Sequence, residues 1–154
     1  MTGTIDARLA ELGLVLPAAP APAANYVPFV ISGSMLYVSG QVSSGPDGLI
    51  KGRLGDGMDV EAGAAAARAC ALSLIAQAKV ACGGDLDKIA RVVKLVGFVN
   101  STADFTDQPK VVNGASDLMV AVFGDAGRHA RSAVSAAALP LGVAVEVEAI
   151  FELA

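Results

Sequence analysis

Arg131 and the three glutamates that follow it, Glu146, Glu148 and Glu152, are the residues whose types and spacing bear most directly on chemistry. Arginine keeps its charge at every working pH and presents a planar donor fork that matches a carboxylate through two parallel hydrogen bonds. At the start of a half-buried strand such a group holds a small anionic substrate. It serves equally as one half of a structural ion pair with a glutamate on a neighbouring strand, and the residues alone leave both readings open.

Alternation governs how these groups are presented. In an extended chain Ser132, Val134, Ala136 and Ala138 share one face, and Arg131, Ala133, Ser135, Ala137 and Leu139 the other. Beyond the break at Leu139-Pro140-Leu141-Gly142, the run Val143, Val145, Val147, Ala149, Phe151 and Leu153 alternates with Ala144, Glu146, Glu148, Ile150 and Glu152. Two such runs across a short Pro/Gly turn predict an antiparallel hairpin, with residue 150, 151 or 152 opposite Arg131.

Other chemistries have less support. One histidine, two cysteines and no clustered carboxylates give no metal-ligand set with sensible spacing. His129 and Ser132, three apart on a strand, face opposite ways, which argues against a Ser–His pair and for an exposed histidine at a loop end. Gly52-Arg53-Leu54-Gly55-Asp56-Gly57 lacks the preceding strand and the Lys-Ser/Thr of a phosphate loop, and reads as a flexible loop. A net charge of −4, with two Tyr and no Trp, leaves no footprint for nucleic acid or an anionic membrane.

These residues need a scaffold, and 154 residues, 54% hydrophobic and only 17% charged, suit one globular domain. So little charge also predicts that copies of the chain cover part of its apolar surface. Thr4 is placed to cap a short helix that Gly13 stops, and residues 16–24, LPAAPAPAA, read as an extended strap of polyproline character. Residues 26–31 and 35–39 form a hairpin about Ser32-Gly33-Ser34, and residues 42–57 a long loop. Asp59 caps a helix over 60–82 that Gly83-Gly84 ends, and residues 89–99 read as a central strand covered on both faces. Pro109 opens a second helix to Phe123, with Val112, Ser116, Met119, Val120 and Phe123 on one stripe. The order predicts an α+β domain with one sheet and two main helices. Cys70 and Cys82, roughly 18 Å apart on the first helix, are too far apart for a disulfide and read as reduced core residues. Prolines interrupt the uncharged run 12–46, so it holds no transmembrane helix, and the N-terminus lacks a basic signal region. A cytoplasmic protein is the expectation.

Several segments follow one another in a specific order. They are Pro22 through Asn25-Tyr26, Leu36-Tyr37-Val38-Ser39-Gly40-Gln41, Phe98-Val99-Asn100 with Phe105, Val112-Asn113, Ala130-Arg131-Ser132-Ala133-Val134, Leu139-Pro140 and Val145-Glu146-Val147-Glu148-Ala149-Ile150. Over residues 20–152 this series resembles the YjgF or reactive-intermediate-deaminase (Rid) family, also called endoribonuclease L-PSP-like. The resemblance implies a homotrimer of α+β subunits, each a single mixed sheet with two main helices on one face as in bacterial chorismate mutase, with pockets at the subunit interfaces. Residues 20–154 would form that domain, and residues 1–19, its helix and strap, an extension; with the 42–57 loop they mark a longer subgroup.

Family members hydrolyse short-lived imines or enamines, such as 2-aminoacrylate and 2-iminopropionate, to 2-keto acids and ammonia, with no metal or organic cofactor. Carried onto this chain, the resemblance makes Arg131 the carboxylate-binding arginine. It puts Tyr26, Ser39, Gly40, Asn113 and Glu146 in the pocket, Glu146 and backbone carbonyls orienting the attacking water. Ala133 stands where many members have Cys, a residue thought to act through the backbone carbonyl that Ala retains. Two other classes stay open: a ligand-binding or regulatory trimer without turnover, and the ribonuclease or translation inhibitor that some relatives are named for. An acidic chain without a His pair disfavours the last.

Overall fold

The computed structural model describes residues 3–21 and 24–154. Part of the proline strap and the Pro22 end of the family-like series lie outside the described residues. A five-stranded mixed sheet runs in the order β1 (Phe29–Ser32), β2 (Met35–Val42), β9 (Val145–Leu153), β7 (Ile89–Asn100), β8 (Ala130–Ala136). Helices α2 (Val60–Ala81) and α3 (Gln108–Phe123) pack side by side on one face of it, α2 over β2 and β9, α3 over β7 and β8. A shorter helix, α1 (Thr4–Glu11), lies outside them.

The core follows the two periods in the sequence. Alternate residues Val92, Leu95 and Val99 of β7 and Val145, Val147, Ala149 and Phe151 of β9 turn toward the helices and are fully or almost fully buried. Asp59 accepts a hydrogen bond from the Ala62 amide to start α2, and Gly83 and Gly84 end it with positive φ. Helix α2 has the length and apolarity to cross a membrane, but eleven of its 22 residues are buried within the domain, so it serves as a core helix. On α3 the expected stripe holds for Val112, Met119 and Phe123, while Ser116 and Val120 are only half-buried.

Three expectations about the sheet and the first helix change. The C-terminal hairpin does not form. Strand β7 lies between β8 and β9, parallel to the first (Leu95 beside Arg131, Gly97 beside Ala133) and antiparallel to the second (Leu95 beside Ala149, Phe98 beside Glu146). The Pro140–Gly142 turn instead passes over the end of β7, where the Asn100 amide donates to the Ala144 carbonyl and its Nδ2 to Val143. Alternation assigns faces but says nothing about which strand is the neighbour, and α3 supplies the long crossover that a parallel β7–β8 pair requires. Second, among the described residues of one chain β7 is covered on one face only. Its other side chains, Lys94, Val96 and Phe98, are half-buried on an open face that also displays Val30, Tyr37 and Val134. Third, Thr4 is not the cap of α1. Gly3 occupies that position without a side chain, and the carboxylate of Asp87 accepts from the Thr4 and Ile5 amides at 2.8 and 2.9 Å.

The 42–57 segment is more ordered than a flexible loop. It makes two small ladders, β3 (Ser44–Gly45) with β4 (Gly48–Leu49) and β5 (Arg53–Leu54) with β6 (Gly57–Met58). Buried Ser43 fastens it: its hydroxyl donates to the Ile50 carbonyl and accepts from the Val145 amide.

The helices approach closely through small residues, and a Cβ at Gly114 would run into the Ala64 carbonyl of α2. Helix propensity alone would make Gly114→Ala stabilising by about 1 kcal/mol. Because the obstacle is backbone, we expect the reverse, a loss of about 1–3 kcal/mol in urea unfolding.

Candidate active site

The residues singled out from sequence gather in two groups. The first surrounds an irregularity in β2. Between Val38, which faces Ala149, and Gln41, which faces Val147, two residues of β2 oppose one of β9, and Ser39 and Gly40 bulge outward. The Ser39 hydroxyl donates to the Val27 carbonyl at 3.0 Å, and its backbone amide donates to Pro28, which holds the chain before β1 against the bulge. The Glu146 carboxylate lies directly against Gly40, in the space a Cβ there would take, so a side chain at 40 would displace it. Around this point a cavity of about 450 Å³ is lined by Tyr26, Ser39, Gly40, Gln77, Leu141 and Glu146. Burial raises the Glu146 pKa above the ordinary glutamate value, and the nearby charge of Glu148 raises it further.

Two lining residues were not anticipated. Gln77, buried on α2, donates to the Pro20 carbonyl at 2.8 Å and so fastens the strap to the cavity wall. Leu141, with φ 61°, is exposed on the rim and is the only non-glycine residue with positive φ among those described.

The second group lies where β8 meets α3. Arg131 Nη1 donates to Asn113 Oδ1 at 2.8 Å and to Ser116 Oγ at 3.2 Å. Ser116 Oγ lies 2.8 Å from His129 Nε2, and His129 Nδ1 lies 2.6 Å from the Gly127 carbonyl. Ala133, two residues beyond Arg131 on the same face, is half-buried beside Gly97. His129 is therefore no exposed loop-end histidine; it is half-buried with both ring nitrogens engaged. The signal for it was spacing. His129 and Arg131 are two apart in an extended chain, and Asn113 and Ser116 three apart on a helix, so each pair shares a face.

Arg131 forms no ion pair with a carboxylate among the described residues, and neither does Glu146. The sheet explains why they do not meet. Arg131, beside Leu95, faces the helices; Glu146, beside Phe98, alternates onto the open face. Two strand spacings and three residues along β7 separate their Cα atoms by about 14 Å. Within one chain they do not reach a single small molecule.

Among the described residues no three of His, Cys, Asp and Glu converge as a metal site. Cys70 and Cys82 are both free and buried, and burial pushes both thiols up, which leaves neither activated as a nucleophile. A separate hollow of about 470 Å³ among the helices, beside Leu14, Arg68 and Asp117, contains none of the site residues singled out from sequence.

Residues 6–153 match the protein family described as "YjgF/chorismate mutase-like, putative endoribonuclease". Protein TCP17 of Trypanosoma cruzi is 54% identical over 154 residues, which span 99% of this chain and 96% of that protein. The crystal structure of Atu1372 from Agrobacterium tumefaciens, a protein of unknown function, superimposes with a TM-score of 0.90 at 49% identity, covering 97% of this chain and 92% of the other. E. coli TdcF, solved with bound serine, has a TM-score of 0.61 at 26% identity and covers 88% of this chain and 94% of its own. With 148 of its residues under one family description and the mixed sheet and paired helices of its relatives, the chain belongs to the YjgF family.

Proposed function

We propose that this chain hydrolyses small carboxylate-bearing imines and enamines of the 2-iminopropionate and 2-aminoacrylate type to 2-keto acids and ammonia, as a homotrimer in the cytoplasm. The observation that carries the reading is an arginine fixed by neutral partners. Asn113 and Ser116 orient the Arg131 guanidinium without neutralising it, which favours an incoming carboxylate over a structural ion pair. The serine-bound TdcF structure adds support, since serine also carries a carboxylate next to a nitrogen-bearing carbon.

A shared site reconciles Arg131 with Glu146. The open sheet face, with Val30, Tyr37 and Val134 each about half exposed, is an apolar surface that a second copy would cover. A head-to-tail contact closing into a ring of three would place Arg131, Asn113 and Ala133 of one subunit against Tyr26, Ser39, Gly40 and Glu146 of the next. In such a site Arg131 binds the substrate carboxylate and holds the C=N carbon near Glu146. Water adds its oxygen to that carbon as Glu146 takes one of its protons and passes it to the nitrogen. The carbinolamine then collapses: its hydroxyl proton moves through Glu146 to the nitrogen, the C–N bond breaks, and ammonia leaves behind a 2-keto acid. Proximity supplies most of the acceleration, because an imine is already electrophilic. The serine-bound relative also suits a trimer that binds without turnover, and catalysis separates the two readings.

Release of ammonia and keto acid from 2-iminopropionate, generated in situ by an amino-acid oxidase, is the direct test. Arg131→Ala should lower kcat/KM about 10- to 100-fold, the value of losing charge-assisted hydrogen bonds. Equal rates for wild type, variant and buffer would sink the deaminase reading.

Glu146 must be ionised to take a proton, and its pKa is raised, so kcat/KM should fall with acid from a pH above the ordinary glutamate range. Glu146→Gln should lose that acid limb and about 100-fold or more in kcat. An unchanged pH profile would remove Glu146 from the mechanism.

Subunit sharing has its own signature. Arg131→Ala and Glu146→Gln subunits, denatured and refolded together in equal amounts, should recover about a quarter of wild-type activity, because one interface in four pairs the two intact residues. No recovery would place both residues in one subunit's site.

A further inference from the structure

We infer that His129, acting through Ser116, is a positioning residue for Arg131 that sets which edge of the guanidinium faces the substrate; this rests on Arg131 binding the substrate carboxylate. A backbone carbonyl only accepts, so the 2.6 Å contact with Gly127 requires the proton on His129 Nδ1. In the neutral ring Nε2 is then a lone pair, and the Ser116 hydroxyl donates to it at 2.8 Å. The Ser116 oxygen is left as an acceptor toward Arg131 Nη1 at 3.2 Å. Without His129, a helical serine turns its hydroxyl back to the carbonyl one turn earlier.

Gly127 gives this chain of contacts a fixed end. It is buried in the Gly124–Gly127 turn, against α3 so closely that a Cβ would collide with the Met119 carbonyl. The other end is equally defined. Nη1 has two N–H groups, and Asn113 Oδ1 and Ser116 Oγ accept both. Three donors have no partner among the described residues, two on Nη2 and one on Nε, and the Nε–H with the adjacent Nη2–H forms the edge that takes a carboxylate in two parallel bonds. The Gly127–His129–Ser116 series thus leaves the Nε–Nη2 edge for the ligand.

The test uses the full-length chain labelled with 15N and the variants His129→Ala, His129→Gln, Ser116→Ala and the His129→Ala/Ser116→Ala double. In wild type, His129 should show the Nδ1–H tautomer, and the Arg131 Nη1 and Nη2 signals should be separate and slowly exchanging. His129→Ala and Ser116→Ala should merge the Arg131 signals. His129→Gln, whose amide oxygen can replace Nε2 as acceptor, should keep them apart. In the iminopropionate assay each single loss should raise KM about 5- to 20-fold with kcat changed less than about twofold, and the double variant should match the singles because they act in series. An Nε2–H tautomer, Arg131 signals unaffected by His129→Ala, or additive effects in the double variant would overturn the inference. If wild type shows no turnover, the deaminase reading falls, while the tautomer and the Arg131 signals still decide this one.

Discussion

The close approach of α3 to β7 at Gly97 is the contact on which the site's geometry depends. A Cβ at Gly97 would lie 2.6 and 2.7 Å from the two methyl carbons of Val112, so Val112 occupies the space a side chain would need. That contact sets the height of α3 above the sheet. Asn113, the next residue, and Ser116, one turn on, thereby come within hydrogen-bond reach of Arg131 on the adjoining strand. A larger residue at 97 would lift α3 and draw both acceptors away from the guanidinium, without touching either.

Strand β7 has a second role as a divider. By pairing with β8 on one side and β9 on the other, it puts the permanent cation and the half-buried carboxylate on opposite faces. A direct contact between them would have neutralised both and closed the site as a salt bridge. Kept apart, each is only partly satisfied: the arginine by neutral oxygens, the glutamate against the bare backbone of Gly40. The result is two incompletely satisfied groups on opposite faces of one sheet.

Much of this was legible in the sequence, and what was not has a physical reason. Helix α2 was readable because Asp59, a run of small apolar residues and Gly83-Gly84 each act locally. The faces of β8 and β9 were readable because alternation is a property of one strand at a time. Their partner was not, since pairing is decided by the crossover through α3 rather than by the Pro140–Gly142 turn. The cap of α1 was missed for a similar reason: Asp87 is more than eighty residues away from the amides that it serves. His129 looked idle beside Ser132 because its partner, Ser116, is on another element altogether.

Among the described residues strand β8 pairs only with β7, so the sheet ends in a seven-residue edge with no strand beside its outer backbone groups. Alanine, serine and valine make up that edge apart from one residue, Arg131. Unpaired edges recruit other edges, and a charge pointing toward the interior is one of the devices that blunt them. Arg131, which faces the helices, is the one such charge on this edge. Without that cation the edge would offer only small and apolar side chains and hydroxyls to any chain that met it.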